Sequence, residues 1–261
     1  MAALRLAARI ARLLLVVLYG LCMAATFALC RRLGLVRSNA RRQRWTQLFM
    51  CQLSNALPLK VNVHGRLPDT PMLWVSNHVS WTDIAVVGQL APVSFLSKAE
   101  VAQWPVAGWL ARHAGTLFIR RGANDSQRLR RDMALRLSDD CAVVIFPEGT
   151  TTNGRSLRTF HGRLLACAAD AGVPVQPVAI RYRRNGELDP LAPFVGDDDM
   201  LSHLMRLLRA ARSEVDVYLL APIPTQGIER AAVAYQAQEA VRAALFGAAP
   251  GTHAEAAAIA A

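Results

Sequence analysis

The sequence predicts an α/β domain in which a mixed, largely parallel sheet is flanked by helices, preceded by an N-terminal membrane-associated helical segment. Two observations support this prediction. Runs typical of strands alternate with stretches typical of helices through residues 60–246. Before them, residues 13–30 carry no charged side chain. The chain of 261 residues is long enough to bury a sizeable core, so we expect one globular domain with an N-terminal appendage.

The uncharged run at residues 13–30 would rise about 27 Å as a helix, which is close to the thickness of a hydrocarbon core. Arginines flank it at positions 5, 9 and 12 and again at 31, 32, 37, 41, 42 and 44. A helix that spans the bilayer and a helix that lies in one leaflet both agree with this pattern. A cleaved signal peptide agrees less well, because the run is long and a dense basic block follows it. If the helix spans, that block places the rest of the chain on the cytoplasmic face.

The later elements are separated by turn and breaker residues. An amphipathic helix is predicted over residues 37–57 and ends at Pro58. Gly65 ends the first strand, and Gly172 ends a later helix. The predicted strands are 60–64, 72–75, 93–96, 115–121, 141–146, 175–182 and 214–220. The other predicted helices are 84–90, 125–137, 158–171, 200–211 and 227–246, with a polar loop at 185–199.

This order divides the chain into three parts. Residues 1–57 form a membrane-anchoring helical segment, and residues 58–247 form the globular domain. Residues 248–261 are an alanine-rich tail that we expect to be disordered.

The composition indicates a basic protein with an anionic partner. The net charge is +11, and 28 of the 30 basic residues are arginine because only Lys60 and Lys98 are lysines. Such a charge favours an anionic membrane, a phosphorylated substrate or nucleic acid. Nucleic acid is the poorer partner, since the arginines cluster around an apolar run and not among base-stacking aromatic residues. The five cysteines have no C-x-x-C spacing, which argues against a zinc site or a disulfide framework.

The clearest chemistry lies where a predicted strand meets a predicted helix. His78 lies in the turn and Asp83 in the first turn of the helix, so the carboxylate can hold the imidazole as a general base. The pair could instead be a turn histidine beside a capping aspartate. Ser80 lies between them, but the chain has no G-x-S-x-G sequence, so we expect Ser80 to brace the turn and not to act as a nucleophile. The other histidines lack the spacing of metal ligands, so no metal site is predicted.

Two further stretches follow predicted strands. Glu148, Gly149 and Thr150 form a glycine-containing turn that either cradles a phosphate with its N–H groups or is an ordinary strand-to-loop turn. Arg121 either binds a phosphate with two hydrogen bonds or is a solvated strand end. Because sites in parallel α/β domains gather at the carboxyl ends of strands, we expect these residues to share one site with His78. The chain has neither G-x-x-x-x-G-K-[ST] nor G-x-G-x-x-G, so no nucleotide cofactor is predicted.

Taken together, four stretches resemble the motif blocks of the glycerolipid acyltransferase family, whose best-known members are the 1-acyl-sn-glycerol-3-phosphate (lysophosphatidic acid) acyltransferases. Residues 77–83 are similar to N-H-x-S-x-x-D, the HX4D motif, and residues 115–121 to G-x-x-F-I-x-R. Residues 146–150 are similar to F-P-E-G-T, and residues 173–178 to V-P-[VI]-x-P-V. The four blocks occur in the family's order, and the resemblance covers roughly residues 60–220.

The resemblance implies a membrane-bound O-acyltransferase of phospholipid biosynthesis without a metal or redox cofactor. The acceptor would be the free hydroxyl of a lysophospholipid, 1-acyl-glycerol-3-phosphate, and the product would be phosphatidate. Acyl-CoA or acyl-carrier protein would be the co-substrate that supplies the acyl group. The enzyme would lie at a bacterial-type inner (cytoplasmic) membrane, with its catalytic domain on the cytoplasmic face.

The resemblance also implies residue roles. His78 would take the proton from the acceptor hydroxyl, and Asp83 would orient His78. The acceptor-binding residues would be Arg121, Glu148, Gly149 and Thr150, with Arg121 as the main phosphate ligand. The apolar stretch 101–110, with Trp104 and Trp109, would take the acyl chain, or it is simply core.

The sequence departs from the family pattern after Thr150. Many members that act on lysophosphatidate read F-P-E-G-T-R-S, whereas Thr151 and Thr152 follow here. Losing a cation near a phosphate site weakens the case for a phosphorylated acceptor. The two threonines and the Gly-Asp-Asp-Asp-Met segment at 196–200 resemble members that acylate lyso-ornithine lipid, a phosphate-free aminolipid. Lyso-ornithine lipid is therefore the alternative acceptor.

A basic, non-enzymatic lipid binder at the membrane surface is the alternative from another class. The net charge of +11 motivates it. The pair of His78 and Asp83 counts against it, because a binder has no need of a general base.

Overall fold

The computed structural model describes residues 2–35, 39–119 and 126–247. Within these residues, strands and helices alternate through the globular domain as predicted. The predicted acceptor ligand Arg121 and the predicted disordered tail at 248–261 lie outside the described residues.

The described residues form eight strands and eight α-helices, with one 3-10 helix at Ala99–Gln103. The strands are β1 (Leu59–His64), β2 (Leu73–Ser76), β3 (Val93–Lys98), β4 (Leu117–Ile119), β5 (Ala142–Ile145), β6 (Val175–Arg184), β7 (Glu187–Leu188) and β8 (Ser213–Leu219). The helices are α1 (Ala2–Arg32), α2 (Asn39–Ala56), α3 (Thr82–Gly88), α4 (Ala107–Ala114), α5 (Ser126–Ser138), α6 (Ala166–Asp170), α7 (Met200–Arg209) and α8 (Arg230–Phe246).

The described strands form a sheet of order β1-β8-β6-β2-β5-β3-β4, and β7 pairs with β6 beside this path. Five of the described strand pairs are parallel, whereas β6 pairs antiparallel with β8 and with β7. The predicted mixed, largely parallel sheet is therefore confirmed. Because β2 lies between β6 and β5, and parallel strands end at the same edge, the turns that follow β2 and β5 are neighbours.

The central strand β2 contributes to a core on each face of the sheet, because successive strand residues point to opposite faces. Leu73 and Val75 pack with residues of α5, α6 and α8 on one face. Trp74 packs with Val86 of α3 on the other face. All of these β2 side chains are buried, as expected for an interior parallel strand covered by helices.

Helix α1 packs against α2, α4 and α7 on one side. Gly20 permits close contact with α2, because a Cβ atom there would lie 2.3 Å from the Phe49 ring. Among the described residues, α1 is the one helix long and apolar enough to cross a membrane, with a mean hydropathy of 2.4 and only 17% of its most apolar window buried. Its exposed leucines are at positions 4, 14, 15, 18 and 29. Both the spanning and the one-leaflet arrangements agree with these properties.

The predicted helix over residues 158–171 is wrong in its first part, because α6 spans only Ala166–Asp170. Two backbone N–H groups before α6 donate to side chains of other segments. The Arg158 N–H donates to Glu148, and the Phe160 N–H donates to Gln238. These tertiary contacts fix the backbone of residues 158–160 outside a helix, and the next residues form turns, such as the one closed by the Leu165 N–H on the Gly162 carbonyl.

The predicted polar loop over residues 185–199 begins with a short hairpin. Asn185 and Gly186 have φ values of 54° and 86°, so both central residues of the turn lie in the left-handed region that a tight hairpin requires. The turn brings β7 back against the end of β6. The predicted strand over 115–121 starts late, because Gly115 ends α4 with a φ of 83°.

Candidate active site

His78 and Asp83 meet in the turn between β2 and α3. The chain leaves β2 at Ser76, and α3 begins at Thr82. The His78 Nδ1 atom lies 2.7 Å from the Asp83 Oδ2 atom. The Asp83 side chain is fully buried, whereas the His78 side chain is 19% exposed. The structure therefore brings the two predicted catalytic side chains into direct contact, with the histidine on the outer side.

The Asp83 carboxylate accepts four hydrogen bonds. Its Oδ2 atom accepts from His78 Nδ1 and from the backbone N–H groups of Val79, at 2.8 Å, and Ser80, at 3.0 Å. Its Oδ1 atom accepts from the Tyr182 hydroxyl at 2.6 Å. A carboxylate can only accept, so Nδ1 of His78 carries the proton and Nε2 keeps the lone pair that a general base needs.

Tyr182 is a part of the site that the sequence interpretation missed. It lies at the end of the predicted strand 175–182, and it reaches Asp83 because β6 neighbours β2. Burial raises the pKa of Tyr182 well above its usual value, and the Asp83 carboxylate raises this pKa further. The phenol therefore keeps its proton and donates it to Asp83. The Thr82 hydroxyl, 2.8 Å from the Tyr182 oxygen, then donates to that oxygen.

A ring contact and the Ser80 side chain also hold the turn. The His78 ring stacks on Phe146 at 4.0 Å and 13° between the planes. The Ser80 side chain is buried, and its hydroxyl oxygen lies 3.4 Å from the Thr82 N–H. That contact agrees with the prediction that Ser80 braces the turn.

Glu148 holds the turn after β5 against the turn after β2. Its Oε1 atom accepts from the His78 N–H, and its Oε2 atom accepts from the Arg158 N–H, both at 2.8 Å. The side chain is only 4% exposed. Burial raises the pKa of Glu148, and the hydrogen bonds from the two backbone N–H groups partly oppose this rise. Glu148 thus fixes the backbone of the residue that carries the imidazole.

The other predicted acceptor residues lie beside this clamp. Gly149 is exposed, with a φ of 70° that favours glycine, and its N–H donates to the Phe146 carbonyl. Thr150 is half-buried. The binding roles proposed for these residues, and for Glu148, stay predictions.

Residues 151–152 and 194 also contact the turn between β2 and α3, residues 77–81, which is called the catalytic turn below. These contacts were not predicted from the sequence. The Thr152 N–H donates to the His78 carbonyl at 2.8 Å, and the Phe194 N–H donates to the Val79 carbonyl at 3.0 Å. The Thr151 hydroxyl donates to the Phe194 carbonyl. The turn is therefore held by two segments, 151–152 and 194, that are distant from it in the sequence.

Comparison with known proteins identifies the family. A family model described as Acyltransferase matches residues 60–181. The chain is 59% identical, over 252 residues, to the lyso-ornithine lipid O-acyltransferase of Pseudomonas aeruginosa, with 97% of this chain and 98% of the relative covered. The chain belongs to the acyltransferase family.

Other relatives of this acyltransferase agree. It is 31% identical to the 1-acyl-sn-glycerol-3-phosphate acyltransferase of Neisseria gonorrhoeae, with 72% of this chain and 75% of the relative covered. The crystal structure of the 1-acyl-sn-glycerophosphate acyltransferase PlsC from Thermotoga maritima has a similar fold, with a TM-score of 0.61 and 22% identity over 91% of this chain and 96% of that one. The predicted family, fold class and transferase activity are confirmed. The enzyme acylates a lysolipid, so the non-enzymatic lipid binder is not supported.

An apolar cavity of about 380 Å³ lies between the N-terminal helices of the acyltransferase and its α/β domain. It follows α1 from Leu13 to Phe27 and is also lined by Trp81 and Trp104. Trp109, which was predicted to line an acyl channel together with Trp104, is not among the lining residues.

The two hydrogen bonds of Glu148 lead to a testable prediction. Glu148→Gln replaces one acceptor oxygen with an NH₂ donor, so one buried N–H group loses its partner. We expect the free energy of unfolding to fall by about 1–3 kcal/mol. The kcat should fall because the turn that carries His78 moves, while the KM for the acceptor changes little. Chemical denaturation in detergent and steady-state kinetics measure these effects.

Glu187→Gln is the matched control, because Glu187 lies exposed in β7, and it should change neither quantity. A raised acceptor KM for Glu148→Gln, with unchanged kcat and unfolding free energy, would instead mean that Glu148 contacts the acceptor.

Proposed function

We propose that this acyltransferase is a lyso-ornithine lipid O-acyltransferase. The observation that carries the proposal is the 59% identity to the lyso-ornithine lipid enzyme over nearly the whole of both chains. Relatives with the same acceptor in Rhizobium meliloti and Brucella abortus are 38% and 33% identical. The lysophosphatidate acyltransferase relative is 31% identical over 72% of this chain, whereas the 59% identity extends over 97% of it. The alternative acceptor of the sequence interpretation therefore becomes the first candidate, and lysophosphatidate becomes the second.

In the proposed reaction His78 is the general base. Its Nε2 atom takes the proton of the acceptor hydroxyl as the hydroxyl oxygen attacks the thioester carbonyl carbon of acyl-CoA or acyl-carrier protein. The new C–O ester bond forms, the C–S bond breaks, and the sulfur leaves as a thiol after receiving the proton from His78. The reaction as proposed needs no metal and no redox cofactor.

Asp83 and Tyr182 support this base without touching the substrate. The Asp83 carboxylate keeps the Nδ1 proton of His78 in place and stabilises the positive charge that the ring gains during the reaction. The Tyr182 hydroxyl, 2.6 Å from Asp83, and the two backbone N–H groups fix the carboxylate. The ring can therefore change its charge without a change in its position.

The acceptor side of the proposed site suits a headgroup without a phosphate. Thr151 stands where many lysophosphatidate enzymes carry an arginine, and its hydroxyl is bonded to the Phe194 carbonyl. Ornithine carries a carboxylate and an ammonium group. Arg121 can bind that carboxylate with two hydrogen bonds, as it could bind a phosphate. Gly149 and Thr150 are proposed to border this acceptor region, and Glu148 is proposed to act on it through the turn that it holds.

We also propose that α1 holds the enzyme at a cytoplasmic membrane, with the catalytic domain on the cytoplasmic face. The support is the apolar, largely exposed surface of α1 and the arginines at its end, Arg31 and Arg32. Both arrangements of α1 would place the site near the membrane that holds the lysolipid.

An acceptor comparison tests the proposed function. The purified enzyme, in detergent with acyl-carrier protein or CoA thioesters, is offered lyso-ornithine lipid or lysophosphatidate, and the products are measured by mass spectrometry. We expect a kcat/KM for lyso-ornithine lipid at least about 10-fold higher, which corresponds to about 1.4 kcal/mol. A higher kcat/KM for lysophosphatidate would overturn the proposal. His78→Ala should lower turnover by roughly 10²–10⁴-fold with either acceptor.

Thr151→Arg tests what excludes a phosphorylated acceptor. A guanidinium here should raise the ratio of kcat/KM for lysophosphatidate over lyso-ornithine lipid by about 10-fold, because a charge-assisted hydrogen bond contributes about 1.5–3 kcal/mol. Thr151→Val is the control: it removes the hydrogen bond to Phe194 but adds no charge, so it should lower both activities and leave the ratio unchanged. Equal ratios for the two variants would show that position 151 does not select the headgroup.

A further inference from the structure

His203 of α7 is a fully buried histidine that the proposed reaction does not use. Its Nδ1 atom lies 3.0 Å from the Trp81 indole nitrogen. Its Nε2 atom lies 3.2 Å from the Ala192 carbonyl oxygen and 3.1 Å from that of Pro193. An indole N–H only donates and a carbonyl only accepts, so Nδ1 accepts and Nε2 carries the proton. The contacts thus select a neutral ring in one tautomer.

The surroundings of His203 keep the ring neutral. Burial lowers the pKa of His203, and the nearby Arg206 guanidinium lowers this pKa further. The Asp198 carboxylate and the two carbonyl groups oppose the shift without reversing it. A protonated ring would also direct a second N–H at the Trp81 N–H, so the hydrogen bond between the two side chains would be lost.

One ring nitrogen of His203 bonds a residue of the catalytic turn, and the other bonds a segment that contacts this turn. Trp81 belongs to that turn and directly precedes α3. Phe194 is the last residue of segment 192–194, and its N–H donates to the carbonyl of Val79, the residue after His78. The Phe194 ring also meets the His203 ring edge-on at 5.3 Å. His203 therefore bridges Trp81 and segment 192–194.

Helix α7, which carries His203, is anchored at both ends. At its start, the Asp199 side chain accepts hydrogen bonds from the backbone N–H groups of Leu201 and Ser202. At its other end, the Arg9 guanidinium of α1 donates to the carbonyls of Leu208 and Ala210, both at 2.7 Å. The helix that presents His203 is thus capped at one end and bonded to α1 at the other.

We propose that His203 is a positioning residue for acyl transfer. Its neutral imidazole joins Trp81 to the carbonyls of segment 192–194 and so fixes the turn that presents His78 to the acceptor. Because Trp81 also lines the apolar cavity, the same bond aligns the cavity wall with the catalytic turn. The inference rests on His78 as the base of the proposed function, but it does not depend on which lysolipid is the acceptor.

A double-mutant cycle in kcat tests this role, with the acceptor that the wild-type enzyme acylates. His203→Phe and Trp81→Phe each remove the bond between the two side chains, and each should lower kcat by about 10–100-fold, the effect expected of a small displacement at a reacting centre. The double variant should be no slower than the slower single variant, because both changes remove one interaction. His203→Gln, which retains one donor and one acceptor, should regain most of the lost kcat.

His64→Phe is the matched control, because His64 bonds Asp216 and stacks on Tyr218 at the far edge of the sheet. It should leave kcat unchanged. Unfolding is measured for every variant, and if His203→Phe does not fold, the smaller apolar variant His203→Leu, which also removes the bond to Trp81, takes its place in the cycle. Additive losses of kcat would overturn the proposal. Coupling in the free energy of unfolding without coupling in kcat would also overturn it, since His203 would then be only structural. An active His78→Ala variant would refute the base assignment separately.

Discussion

The site depends on the hydrogen bonds that the buried Asp83 carboxylate accepts. Removing an ion from water costs several kcal/mol unless hydrogen bonds replace the lost hydration. The His78 ring, two backbone N–H groups and the Tyr182 hydroxyl supply these hydrogen bonds. These donors stabilise the negative charge of Asp83, and the carboxylate in turn holds the donor groups in position. The imidazole is thereby fixed by a network that forms only when β6 lies beside β2.

The order of the strands explains why the site lies where it does. β2 ends between two neighbours, and each neighbour supplies a polar side chain to the turn that follows β2. β6 supplies the Tyr182 hydroxyl that bonds Asp83, and the turn after β5 supplies Glu148, which bonds the backbone of His78. Both carboxylates are almost completely buried, so either one would be costly to leave unpaired. The hydrogen bonds of the site therefore depend on the order of the strands in the sheet.

The contrast between local and distant contacts decides what the sequence could predict. The pair of His78 and Asp83 was predictable because five positions separate the two residues within one strand-to-helix turn. Tyr182 and His203 were missed because their partners are 99 and 122 positions away, and no local pattern marks such contacts. The helix predicted over 158–171 was wrong in its first part because Glu148 and Gln238 fix the backbone of residues 158 and 160 by tertiary contacts that the local pattern does not show. The strands of the sheet were predictable because burial on both faces demands apolar runs that are visible in the sequence.

The catalytic pair alone does not explain which acceptor is used, and we propose that residues around it, such as Thr151, make that choice. In the proposed reaction, Asp83 holds the proton on Nδ1 of His78 and leaves Nε2 free to act as the base. Nitrogen NMR of the enzyme labelled with ¹⁵N-histidine tests it directly, with His78→Ala to assign the signal. We expect a protonated Nδ1 and an unprotonated Nε2 in the wild-type enzyme at neutral pH, and loss of this preference in Asp83→Asn. A His78 ring with its proton on Nε2 would contradict the claim.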